Sequence, residues 1–106
     1  MAIDQQVLQD ALKAAADVLG TKFAFVRTAA TAQITALVAN AKDIEDNKGS
    51  MTQAEYEMVK RIQTRALEGV LAGYEAIGIV AAEQAAQAAW NVVAAALRQS
   101  TGLAFI

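Results

Sequence analysis

The chain has no cysteine, no histidine and no proline in 106 residues. Without cysteine it can form neither a disulfide nor a thiolate metal site, and without histidine it lacks the commonest general base and the commonest zinc ligand. Charge of one sign is also lacking. Nine basic residues stand against eleven acidic ones, a formal charge of -2, so there is no basic stripe of the kind that displaces phosphate counterions, and a nucleic-acid partner is not expected. Met1-Ala2-Ile3-Asp4-Gln5-Gln6 has neither the cationic region nor the apolar core of a secretory signal. The expected location is the cytoplasm by default, with export after synthesis left open.

What is present is helix-forming. Alanine supplies a quarter of the residues and glycine only six, a composition suited to long helices and unlike that of a β protein or a disordered tail. The fold class read from this is all-α, as one domain over residues 1–106 without a linker.

The clearest local signal is Asp46-Asn47-Lys48-Gly49-Ser50-Met51-Thr52-Gln53-Ala54-Glu55-Tyr56. Gly49 suits the left-handed position that ends a helix. Thr52 and Glu55 have capping-box spacing, and Met51 and Tyr56 take the places of a hydrophobic staple. Upstream, Leu8, Leu12, Ala15, Leu19, Phe23, Val26, Ala30, Ile34, Leu37, Ala41 and Ile44 recur at steps of four or three, which predicts one long helix capped by Asp4. Gly20-Thr21 marks a local bend in it rather than a break, because a lone glycine costs only about 1 kcal/mol relative to alanine. A second helix is predicted from Gln53 to Arg98, ending before Gly102.

The expected protomer is therefore an antiparallel helical hairpin with helices at about 4–46 and 53–98, each about 60 to 70 Å long, completed into a bundle or larger array by oligomerisation. Folding it about Gly49 places Phe23, Phe25 and Val26 beside Gly69, Gly73 and Gly78, large against small. The same register brings Arg27 to Glu68, Lys22 to Glu75 and Arg98 to Asp4.

Between Ala66 and Leu97 the only charged side chains are Glu68, Glu75 and Glu83. A helix that is apolar on nearly every side must be covered on nearly every side, at roughly 25 cal/mol per Å² removed from water. Gly69 and Gly73 form a small-xxx-small motif. In a bilayer such a motif pairs helices, but Glu75 and Glu83 would each cost about 2.5 to 3.5 kcal/mol at its centre, so close packing between water-exposed helices is the favoured reading. Gln84, Gln87 and Asn91 fall on one helix face and could set the register of a subunit contact; Trp90 is a candidate anchor for it. The apolar tail, with Leu103, Phe105 and Ile106, is expected to insert into a neighbouring subunit.

Chemistry is not expected. Asp43, Glu45, Asp46, Glu55 and Glu57 gather near the turn without a recognisable cation-ligand spacing, and read as a solvated tip largely neutralised by lysines and Arg61. No nucleophile has a base to activate it. The sequence points to a non-enzymatic structural protein without metal or cofactor, assembling as a homo-oligomer, up to a tube, sheath or filament, through helix 2 and the tail. The alternatives are a partner-binding hairpin, secreted or not, and a membrane-active hairpin whose polar stripe lines a pore.

Overall fold

The computed structural model describes residues 3–106; Met1 and Ala2, which open the segment read for a signal, lie outside it. Within that span the protein is all-helical, with four α-helices: α1 (Gln5–Leu19), α2 (Phe23–Asp46), α3 (Gln53–Ala72) and α4 (Ile79–Thr101). A single 3-10 turn, Gly20–Lys22, joins α1 to α2.

The two-helix hairpin is thereby corrected, because each of its long helices is folded in two. Gly20, at φ +60°, reverses the first, and the second breaks between Gly73 and Gly78, where Gly78 takes φ +78° in front of α4. Left-handed backbone of this kind costs other residues roughly 1 to 2 kcal/mol, so glycine supplies the corners that proline would otherwise have signalled. The longest dimension is 42 Å, well short of the expected rod, and the radius of gyration is 13.3 Å, about that of a compact 100-residue domain. Folding back has a physical reason: an apolar helix doubled on itself is covered by its own chain.

Direction alternates along the chain. The amide of Ile3, just ahead of α1, donates to Glu45 Oε2 near the end of α2 at 3.0 Å, so α1 and α2 are antiparallel. The short 47–52 connection turns α3 back along α2, and α4 returns along α3. The result is an up-down-up-down bundle in which α1 packs most extensively on α4. Both helices bury small residues: Ala11 and Ala15 of α1 and Ala82, Ala85, Ala86 and Ala89 of α4 are all fully buried, which lets neighbouring backbones approach closely. Larger groups, among them Ile34, Leu37, Leu67, Leu71, Trp90 and Leu97, fill the rest of the core.

The helix ends follow the local sequence closely. Asp4 caps α1, its Oδ1 accepting from the amides of Gln6 and Val7 at 3.0 and 3.2 Å. Thr52 Oγ1 accepts from the Glu55 amide at 3.1 Å and donates to the Glu55 carboxylate, which closes half of the expected box. Gly102 ends α4 in the left-handed conformation, its N–H bonded to Arg98 O at 3.0 Å, so the helix runs three residues beyond the predicted Arg98. Gly49 is not left-handed; α2 ends instead on Asn47, whose amide and side chain both donate to Asp43 O.

Candidate interaction surfaces

Alternation of helix direction gives the bundle two unlike poles. One holds the 47–52 connection together with Ile3 and the end of α4. Here Lys42 Nζ pairs with Glu45 Oε1 at 2.9 Å and Asp46 Oδ1 at 3.0 Å, which raises the pKa of the lysine. Burial pushes the Glu45 carboxyl up, but the Lys42 ammonium, the Ser100 hydroxyl and the Ile3 amide together hold it below its ordinary value. Among the described residues no group of three or more histidines, cysteines or acidic residues is arranged to hold a metal ion.

The opposite pole carries the glycine corners and is apolar. Phe25, Ile79 and Val80 are 68%, 69% and 67% exposed, and Val18 and Tyr74 are also open to solvent. Val18 is near the end of α1, Phe25 near the start of α2, Tyr74 in the connection after α3, and Ile79 and Val80 at the start of α4, ends that alternation brings together. Phe25 was expected to rest on glycine, but nothing lies within 4 Å of a Cβ built on Gly69 or Gly78. Gly73 would meet only the carbonyls of Val70 and Gly69 in its own helix, so no ring of α2 fills this seam.

Several sequence-predicted interface residues are used inside the chain. Trp90 is 1% exposed, its ring 6.0 Å from that of Tyr56, so it is a core residue of the protomer. Phe105 is tilted against the same Tyr56 ring at 5.9 Å, and Ile106 packs against the same core. Arg98 Nη2 donates to Ile106 O at 2.7 Å, while the Leu103 amide donates to Thr101 Oγ1 at 3.2 Å. The tail thus folds onto its own bundle. Burial raises the Tyr56 phenol pKa against a smaller opposing pull from the Trp90 indole N–H, which itself makes no well-formed hydrogen bond.

Gln84, Gln87 and Asn91 lie on the outward face of α4, Gln87 Nε2 donating to Asn91 Oδ1 at 2.8 Å. The predicted pairs Arg27–Glu68, Lys22–Glu75 and Arg98–Asp4 are not among the ion pairs of the described residues. Arg27 sits over the Phe23 ring instead, 6.0 Å from its centre.

A shallow cleft of about 240 Å³ opens between α3 and α4. Gly69, Ala72 and Ala82 form its apolar part, and Arg65, Glu68, Ile79 and Glu83 complete its lining. Beside it on the outside of α3 stand Met58 and Ile62, 58% and 56% exposed. Sequence reasoning singled out Gly69 but missed Met58, Ile62, Ile79 and Val80. A signal for the first two was present: they lie four apart, on the side of α3 opposite the buried Leu67 and Leu71. Among the described residues no helix is long and apolar enough to cross a membrane. No family model, curated protein or solved structure matches the chain.

Proposed function

We propose that this protein is a non-enzymatic structural subunit that associates with further copies of itself. The observation that supports the reading is apolar surface left over after the core is complete. Phe25, Met58, Ile62, Ile79 and Val80 are each more than half exposed on a bundle whose own core is fully covered. Fully burying one such side chain is worth about 1.5 to 3 kcal/mol, so contacts that take in several of them supply the drive for association. Surfaces on two sides of the bundle, the glycine pole and the outside of α3, allow either closed oligomers or an open array, depending on whether the contacts close on themselves.

Size-exclusion chromatography with light scattering, together with negative-stain electron microscopy, tests this. Particles heavier than one chain, growing with concentration and diminished by Phe25→Ser with Val80→Ser, are expected. A single 11.1 kDa species at every concentration up to the solubility limit overturns the proposal.

A further inference from the structure

The outside of α3 carries a pattern that the core does not use. Met58, Ile62, Arg65, Gly69 and Ala72 follow one another at steps of four, three, four and three, the spacing of a coiled-coil seam. Met58, Ile62, Arg65 and Gly69 are exposed, and Ala72 is half-buried at the floor of the cleft. Arg61 and Glu68 flank the seam on one side, each one residue ahead of a seam position.

We propose that α3 pairs with α3 of a second copy, antiparallel and about a two-fold axis level with Gln63 and Thr64. The inference rests on the self-association reading and gives it one specific contact. In this pairing Met58 lies opposite Gly69 of the second copy, and Ile62 opposite Arg65. Three features make the surface complementary to itself. The large side chain meets the residue without one: the cleft is open at Gly69, where a Cβ would touch nothing, and Met58 is long, flexible and available to fill it. Charge matches as well, since reversing the helix sets Arg61 beside Glu68 of the second copy, and the two-fold repeats the pair. Neither Arg61 nor Glu68 is in an ion pair with a described residue of its own chain. Arg65, central in the seam, can lay its aliphatic stem across Ile62 of the second copy while its guanidinium stays near the carboxylates of Glu68 and Glu83, which line the same cleft.

A parallel arrangement loses all of this, because it puts Met58 against Met58 and sends Arg61 of one copy and Glu68 of the other to opposite sides of the seam. Another protein as occupant would need the matching knob and charges by coincidence, whereas a second copy has them by symmetry. The paired stretch Met58–Gly69 covers about three turns of helix, a small contact, so the pairing is expected to be in the micromolar range.

The absence of cysteine makes the test clean. Met58→Cys and Gly69→Cys proteins, mixed and mildly oxidised, are expected to give a disulfide-linked heterodimer. Met58→Cys alone is expected to link far more slowly, since antiparallel pairing separates the two copies of residue 58 by about 16 Å along the axis. Charge reversal reads the same contact without a cross-link. Arg61→Glu and Glu68→Arg should each weaken dimerisation about tenfold, and the double variant should recover it. Circular dichroism checks that every variant remains helical. If Met58→Cys links to itself as fast as to Gly69→Cys, or the double reversal fails to recover association, the pairing is wrong even where the wild type self-associates. A wild type that stays monomeric overturns the pairing and the broader reading together.

Discussion

The Ile3 amide and the Glu45 carboxylate meet at 3.0 Å across 42 residues of sequence, closing the α1–α2 pair at its open end. Glu45 is held there in its charged form by Lys42, Ser100 and Ile3 against the cost of burial. Because its folded pKa is depressed, its contribution is present above the ordinary carboxylate pKa and is lost as pH falls through the folded value. Glu45→Gln should lower stability at pH 7 by about 1 kcal/mol and flatten the acid limb below about pH 5. Urea titrations of the two proteins from pH 7 to pH 3 check this; parallel pH profiles would show that Glu45 is not the group responsible.

Glycines at three places should respond in opposite directions. Alanine at Gly20 or Gly78 is forced to positive φ and should cost about 1 to 2 kcal/mol. Alanine at Gly69, inside α3 with open space around its Cβ, should add about 0.5 to 1 kcal/mol to the stability of the single chain while filling the cleft. Denaturation midpoints measured at low protein concentration separate the two effects.

Trp90 offers a direct reading of where the core ends. Buried within one chain, it should fluoresce at short wavelength, resist acrylamide quenching, and keep both properties on dilution to nanomolar protein. A red shift on dilution would return it to a subunit interface. Trp90→Ala should cost about 3 to 5 kcal/mol, a large part of the total stability of so small a domain.

Tyr56 governs the alkaline side. Its raised pKa means that the folded state keeps the phenol proton after the unfolded chain has released it, so stability falls as pH rises above about 10. Lys42, also raised, loses its contribution in the same direction. Thermal unfolding between pH 8 and pH 11 should show a loss that is smaller in Tyr56→Phe.

Local signals in the sequence carried much of the fold. Asp4, Thr52 and Gly102 mark helix ends because capping depends on neighbouring backbone groups alone. The apolar stripe from Ala15 to Ile44 correctly picks out Leu19, Val26, Ala30, Ile34, Leu37 and Ala41 as core. What periodicity does not report is reversal: a tight corner at Gly20 keeps both flanking faces turned inward, so the stripe crosses it without a change of phase. At Gly73 and Gly78 the missing side chains read as room for rings, whereas the backbone needed the freedom of Gly78 to turn. Once that corner is missed, Trp90 and the tail have no internal partner and are assigned to a neighbour. Gly69 was legible as a contact point, but its complement Met58 was not, since the seam emerges only when the inner face of α3 is known.

The unlike poles bear on the symmetry of any larger array. A contact joining glycine pole to glycine pole relates two copies by a two-fold, and so does the α3 pairing. Two different two-folds on one subunit, where their axes do not meet, generate a chain with no direction, whose growing tips are equivalent. Such a fibre would elongate equally at both ends, and would lack the fast and slow ends of filaments built head to tail.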